Sequence, residues 1–419
     1  MDGDLDKKLT QEQLDEMVES HARYLEGRAG GRRAYLKTQD VSGLSLKGRN
    51  LAQANFVGCD MRKMDLSDAN FSESSLYACD LAGANLNQAR FVRADLRGAK
   101  IEHVSGVETD FEDADMREGA LVREGESFAP AEAVNFRGAN LSGAKLKGSL
   151  ASKANFSDAI LSGANMRDAD LSGATLTNAD LSDAEIGNTK FDGADVDAAI
   201  FTGVNVAALR RCGVDTDKVL TDENIGEALS VDGESIEARI EKHVLWLDHK
   251  GRQGVQLDVC GFDLRGLKSL KYRRLTALRA ERAKFLGMNL YKVELQSAQL
   301  NGADFRNCDL EDGDLRGASC RGVNFSHANL KMVKATALVI GDSAAENACD
   351  FSDGAFRYAN LSYGQFKGAC FRNVDLSYAD FSHADLRECD FTHADMTGAK
   401  MDGAKLEGAI MSTVIKLAD

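Results

Sequence analysis

Between Ala139 and Ile186 a large apolar residue returns at nearly every fifth position: Leu141, Leu146, Phe156, Leu161, Met166, Leu171, Leu176, Leu181 and Ile186. An alanine stands two places before each, as at Ala139, Ala159 and Ala179. A period of five matches neither the 3.6 of a helix nor the 2 of a strand, so the chain must turn a corner once per repeat. Residues two apart on an extended segment point the same way. The alanine and the large residue therefore face inward, and the Asp or Asn between them faces outward. The next two residues make the bend, where Gly98, Gly143, Gly163 and Gly173 supply unusual backbone angles. Corners of one hand wind the chain into a tube, a solenoid whose core is one side chain wide.

The repeat read in Ala94-Asp95-Leu96, Ala169-Asp170-Leu171 and Ala384-Asp385-Leu386 resembles that of the pentapeptide-repeat proteins, over most of the chain. The resemblance implies an all-β solenoid, a right-handed quadrilateral β-helix with four repeats per coil and ~4.8 Å between coils. It leaves function open, because fold does not give activity.

From Val41 the five-residue frame holds to Val206. Sorted by twenties, one side reads Val41, Met61, Leu81, Ile101, Leu121, Leu141, Leu161, Leu181 and Phe201 without a break. The next side fails at Gly106 and Glu126, and a third places Phe71, Phe91 and Phe111 where they can stack. Residues 102–110 and 122–135 are accordingly expected to bulge from the tube, the second as a loop carrying Glu126, Phe128 and Pro130. Loops on a rigid scaffold carry binding, although a harmless insertion reads the same way.

Ahead of the tube, Thr10 and Gln13 form a capping box for a helix with Leu14, Met17, Val18, His21 and Leu25 on one stripe. Such a helix would cover the open end of the first coil, with His21 packed rather than ligating. After Val206, residues 207–234 read as helical and irregular, with Thr221 a cap for Glu223 to Leu229. A second amphipathic helix follows from Ser235 to Leu247. His243-Val244-Leu245-Trp246-Leu247 then repeats His21-Ala22-Arg23-Tyr24-Leu25. A second tube begins at Val259, slips one residue at Leu267, breaks over 331–350, and resumes one residue out of phase at Phe351, running to Met411.

The expected layout is thus two right-handed quadrilateral β-helices, each preceded by a capping α-helix. Its parts are an N-terminal region (1–35), the first β-helix (36–208), a helical linker and second cap (209–255), the second β-helix (256–412) and a tail (413–419).

Nine cysteines add little chemistry: Cys59, Cys79, Cys308, Cys349 and Cys389 take the small inward position and Cys320 a central one, so they read as buried apolar groups. His383 and His393 stand two repeats apart, on opposite sides of a four-sided coil, and cannot share a metal. No phosphate-binding loop, dinucleotide fingerprint or nucleophile elbow occurs, so neither an enzyme nor a cofactor is expected. The N-terminus lacks the apolar core of a signal peptide and no window is long and apolar enough for a membrane span; a soluble cytoplasmic protein, of bacterial type, is expected.

Net charge is −15, unevenly spread. Val41 to Val206 carries 25 acidic and 16 basic residues, whereas Val259 to Met411 carries 20 of each. The second tube opens on a basic run that includes Arg265, Lys268, Arg273, Arg274 and Arg279. Two binding readings follow. In the first, the protein is a non-catalytic intracellular scaffold for protein partners, held at the 122–135 loop, at outward carboxylates such as Asp110 and Asp115, or at Arg273, Arg274 and Arg279; an open tube end also offers a contact for dimerisation. In the second, suggested by the family's quinolone-resistance members, the acidic tube mimics duplex DNA and occupies an enzyme such as gyrase or topoisomerase.

Overall fold

The computed structural model describes residues 8–121, 131–223, 230–231, 233–267, 269–339 and 346–411. The chain divides into two compact units, Met1–Asn224 and Ile225–Asp419.

In the first unit, helix α1 (Gln11–Leu25) opens with the expected box, the Thr10 hydroxyl accepting from Gln13 N while the Gln13 side chain accepts from Thr10 N. Its buried Leu14 and Val18 belong to the same core as the first coils. The Gln11 side-chain amide bonds both Ser45 N and Ser45 O at 2.9 Å, taking the place of a neighbouring strand. His21 is fully buried and joins two coil segments: its Nδ1 accepts from Ala34 N and its Nε2 donates to the Ala52 carbonyl, each at 3.0 Å.

Coils follow, tied by parallel bridges between residues twenty apart. Asp40 pairs with Asp60, Ser45 with Asp65, Asn50 with Asn70 and Asn55 with Ser75, one ladder for each of four sides. Among the described residues only β1 (Tyr35–Lys37) and β2 (Asn55–Val57) reach three residues, because each side is too short for more. The central residues and the alanines before them are buried along the coils, as Leu46, Leu66, Ala69 and Leu86 illustrate, with Ala194 only partly so. The residue two after each centre adopts the left-handed conformation even where it is not glycine, as in Lys63 (φ 58°) and Asp68 (φ 61°). Phe71, Phe91 and Phe111 stack at 5.4 and 5.2 Å with nearly parallel rings.

Two expectations about the middle of this unit are overturned. Residues 102–110 do not bulge: Ser105 bridges Asn85 and Asn140, and Asp110 bridges Arg90 and Lys145, so the coil is regular there. Gly106 leaves no hole, because Leu141 and the Thr109 hydroxyl crowd the space its side chain would fill. The sides also do not continue by twenties through Leu121. Lys100 pairs with Asn135 instead of position 120, and Asp115 with Leu150 instead of position 135, so three whole repeats leave the coil between them. Ile101 is therefore followed along its side by Phe136, and Leu121 lies outside the core.

Beyond Phe201 the chain forms α2 (Val206–Arg211), capped by the Asn205 side chain, and then rejoins the ladder. Phe201 N bonds Leu220 O and Leu220 N bonds Ala199 O, so a regular coil segment follows the short helix where irregular structure was expected. The expected helix from Glu223 to Leu229 falls largely outside the described residues.

In the second unit, β3 (Ser230–Val231) pairs antiparallel with β4 (Glu234–Ser235), and α3 (Ile236–Asp248) follows with Ser235 as its cap. His243 repeats part of the role of His21: it is buried, its Nδ1 accepts from Leu257 N at 3.0 Å, and it stacks on Trp246 as His21 stacks on Tyr24. Bridges run Asp258 to Arg279 and Asp263 to Lys284, then Ser269 to Asn289, so the one-residue slip falls in the turn Arg265–Leu267. Asp263 and Arg265 form an ion pair there with side chains only 6% and 4% exposed. The frame then holds through Ala335, further than expected. Ser319 pairs with Asp350 instead of position 339, so two repeats and one further residue leave this coil.

Burial lowers the His21 and His243 pKa values, opposed by backbone carbonyl contacts, and burial beside Arg137 brings His103 down to about 4. All three thus take up a proton at lower pH in the folded chain than in the unfolded one, whose ordinary value is 6.5. Their contribution is complete above pH ~6.5 and is lost as pH falls through the window toward their lowered values. The thermal midpoint of the first unit should therefore stay level above pH ~6.5 and fall between pH ~6.5 and ~4.5. His103→Asn should flatten part of that slope; identical slopes in the two proteins would remove His103 from the account.

Candidate functional site

Where three repeats leave the coil of the first unit, the described residues on either side, 119–121 and 131–133, form a neck. The neck is closed by an antiparallel bridge in which Gly119 N donates to Glu132 O and Glu132 N to Gly119 O, at 2.9 and 2.7 Å. The Tyr77 hydroxyl holds the neck from the coil, accepting from Ala120 N at 2.7 Å and donating to Ala120 O at 2.8 Å. The Arg97 guanidinium lies 5.3 Å from the Tyr77 ring and fixes it from the next coil.

Glycines make the fit possible. Gly119 backbone atoms lie about 3 Å from where a Gly98 side chain would start, and a Cβ at Gly58 would stand 2.5 Å from Leu121 Cδ2. Leu121, which the five-residue count places in the core, is instead laid over Gly58. Lys100 and Glu132 add an ion pair at 3.4 Å. Glu126, Phe128 and Pro130, expected as partner contacts, lie outside the described residues.

The neck of the second unit's excursion is closed in a similar way. Strands β5 (Leu338–Val339) and β6 (Glu346–Asn347) pair antiparallel at its neck, and Leu338 packs over Gly317, 2.9 Å from where a Cβ would stand.

The charged candidates are less available than a count of charges suggests. Asp115 accepts from Arg117 Nε and Nη2 at 2.9 and 2.7 Å. Burial by itself would raise its pKa, but the Arg117 hydrogen bonds and charge outweigh it and lower the value. Asp110 is mostly buried and faces Lys145 at 3.7 Å. Asp170 likewise meets Lys190 at 3.9 Å, and Asp180 accepts from Ser182 N and Oγ. In the second unit Arg274 pairs with Asp248 at 2.8 Å and Arg279 with Asp258 at 2.9 Å, whereas Arg273 is exposed. Lys268 lies outside the described residues. The basic run is therefore neutralised in part by its own unit, at Arg265, Arg274 and Arg279.

The spacing that signals this neutralisation is Asp-x-Arg. The residues before and after a central one both face outward, so Asp95–Arg97, Asp304–Arg306 and Asp385–Arg387 pair across one strand. Cys59, Cys79, Cys308, Cys320, Cys349 and Cys389 are buried free thiols, and burial pushes Cys389 up to about 12. Among the described residues no three His, Cys, Asp or Glu side chains are grouped to hold a metal ion, and no helix is long and apolar enough to cross a membrane.

Four ladders of parallel bridges with a core residue every fifth position define a β-helical solenoid. The pentapeptide repeats model matches residues 45–88, 74–105, 135–178, 164–203, 274–307, 303–336 and 375–412, together more than half of the chain. The chain belongs to the pentapeptide repeat family, and its fold is the right-handed β-helix of that family.

Solved structures similar to it include HetL, a pentapeptide repeat protein involved in heterocyst differentiation regulation from the cyanobacterium Nostoc sp. strain PCC 7120. That match has 21% identity over 94% of this chain and 95% of HetL, with a TM-score of 0.21. QnrB1, a plasmid-mediated fluoroquinolone resistance protein, matches at 20% identity over 53% of this chain and 98% of its own, with a TM-score of 0.24. Rfr23, a pentapeptide repeat protein from the cyanobacterium Cyanothece 51142, matches at 26% identity over 37% of this chain and 90% of its own, with a TM-score of 0.12. No curated protein matches the chain.

Proposed function

We propose that this protein is a non-catalytic, cytoplasmic protein-binding scaffold, built from two quadrilateral pentapeptide-repeat β-helices that α1 and α3 cap. The observation that supports it most is the seating of the neck at which residues 119–133 leave the coil. Tyr77, Gly58 and Gly98 receive this neck while all four ladders continue on either side. A segment that the core does not need, yet that the coil is shaped to hold, fits a binding loop on a rigid frame.

A second reading, mimicry of DNA toward gyrase, has one observation in its favour, the excess of acidic residues between Val41 and Val206. Pairing of Asp110, Asp115 and Asp170 with cations weakens it, because a mimic must offer uncompensated charge.

Deleting residues 119–133 joins Glu118 to Val134 and restores a regular four-repeat coil. The variant is expected to keep its circular dichroism and its thermal midpoint within a few degrees, and to lose the partner that the full chain retains from its native host in an affinity pull-down. Partner retention by the variant would refute the loop as the contact. The full chain is also expected to leave gyrase supercoiling unaffected; inhibition at micromolar protein that disappears in high salt would favour the mimic.

A further inference from the structure

From Asp258 to Ser297, the first two coils of the second unit, the chain carries nine cations against four carboxylates. Some of the cations are held: Arg265 by Asp263, Arg274 by Asp248 and Arg279 by Asp258, while Lys292 meets Asp312 at 3.7 Å. Lys271, Arg273, Arg282 and Lys284 are exposed, and among the described residues no carboxylate stands within ion-pair distance of any of them. The remaining carboxylates of these coils are engaged elsewhere. Glu294 faces Arg274 at 4.0 Å, and Glu281 is half-buried and accepts from the Asn301 amide at 3.5 Å.

The ladders bring the four unpartnered cations onto two adjoining sides. The bridge from Asp263 to Lys284 marks one side and that from Ser269 to Asn289 the next. Arg282 and Lys284 stand at the start of the first side, and Lys271 and Arg273 at the end of the second. The corner between them carries Gly287, with nothing within 4 Å of where its Cβ would stand, so a ligand can cross it unhindered. Beside Lys271 and Arg273 the Tyr272 ring is 61% exposed and packs T-shaped on Tyr291 at 5.5 Å, while Lys292 Nζ lies 5.1 Å from the Tyr291 ring. On the third coil the charges are paired: Asp304 with Arg306, Glu311 with Lys331 and Asp312 with Lys292. The uncompensated positive charge is thus confined to the first two coils.

We propose that these two sides form a docking site for a short acidic segment of a partner protein, its carboxylates meeting Lys271, Arg273, Arg282 and Lys284 and an apolar side chain resting on Tyr272. The inference deepens the scaffold reading, on which it rests for the existence of a partner, at a surface of the other unit from the 119–133 neck. Charge selects the occupant. Four like charges on two coils repel one another, and an anionic segment relieves that repulsion while gaining charge-assisted hydrogen bonds, which a neutral or basic segment would not. A nucleic-acid strand is disfavoured because it stacks successive bases on a row of ring faces, whereas Tyr272 alone of the described rings there is more than half exposed. The net charge of −15 also repels a long polyanion, while a short segment responds mainly to charges within a Debye length of ~10 Å. Two coil steps of ~4.8 Å by two sides of ~10 Å give a footprint of roughly 200 Å², far below the ~800 Å² per partner of a stable dimer.

The test uses the full chain and eight-residue peptides carrying an uncharged dye, read by fluorescence anisotropy at low salt. A peptide with four glutamates and one leucine should bind, and more weakly as salt rises; its counterparts with glutamine or lysine in place of glutamate should not. Lys271→Ser, Arg273→Ser, Arg282→Ser and Lys284→Ser together should weaken binding about ten-fold or more, with circular dichroism and the urea midpoint unchanged because all four side chains are exposed. Serine at Lys47, Lys63, Arg211 and Lys218, four exposed cations of the first unit, changes the net charge equally and should leave binding intact. Equal losses from the two sets, equal binding of the glutamine peptide, or tighter binding of an eight-nucleotide thymidine strand would overturn the proposal. So would a concentration-dependent dimer that the first set abolishes, which would make a second copy the occupant. Deleting residues 119–133 should leave peptide binding unchanged. If the acidic peptide fails to bind while that deletion still loses the host partner, the docking site falls and the scaffold reading stands.

Discussion

Leu161→Asp is expected to destabilise the first unit by roughly 4 kcal/mol, read as a shift of the urea midpoint. Leu161 is completely buried, and its amide donates to the Asp180 carbonyl of the next coil at 2.6 Å. A carboxylate there would sit among Leu141, Leu181 and the small residues of its own side, all fully buried, with no water and no counter-charge. A one-residue-wide core also leaves nowhere to swing the group, because every direction except along the tube is backbone. Ser162→Asp supplies the control. Its side chain faces outward with the hydroxyl 3.4 Å from that of Ser142, and the same charge there should cost less than ~1 kcal/mol. Similar midpoints for the two variants would contradict the inward assignment of the repeat.

The second large effect is expected at the buried ion pair of the second unit. Asp263→Ala leaves the Arg265 guanidinium, 4% exposed, without the carboxylate that accepts from its Nε and Nη2. Stranding a buried charge costs roughly 3–5 kcal/mol, whereas replacing both partners by apolar groups of similar size costs much less. Asp263→Leu with Arg265→Met should therefore be more stable than Asp263→Ala alone, although it removes more polar contacts. The pair sits at the one-residue slip, so it also ties the irregular turn Arg265–Leu267 to its own strand. If the double variant is no more stable than the single one, the pair contributes through something other than charge compensation.

Much of this was legible in the chain because the five-residue frame is a direct image of the coil. The inward Ala and Leu positions, the buried cysteines, the Thr10 box and the slip at Leu267 all follow from spacing. The first excursion shows where the image fails. It is a whole number of repeats long, so the count by fives runs through it undisturbed, and Leu121 reads as a core residue although it lies over Gly58. The second excursion is two repeats and one residue long, and that remainder announces itself as the change of phase at Phe351. Charge is less legible for a related reason. Asp110, Asp115, Arg274 and Arg279 read as separate charges in the sequence, yet outward residues two apart, or one coil apart, are neighbours on the tube and pair with one another. Ring stacking on the outside is hidden by distance: His327 stacks on Tyr358, more than a coil away in sequence, and the two meet only once the excursion is subtracted.

The interchangeability of the four sides has an evolutionary corollary. Leucine or phenylalanine fills the core on any side, as Leu66, Phe71, Leu76 and Leu81 do within one coil. Gain or loss of a single repeat during replication would therefore leave the interior filled and turn every later outward residue of that unit by a quarter revolution. Residues that shared a side would still share it, but in a new alignment with those before the event. For this architecture the slip of one repeat's worth of codons is less a folding defect than a wholesale reshuffling of the surface, and selection can then act on recognition while stability stays nearly constant.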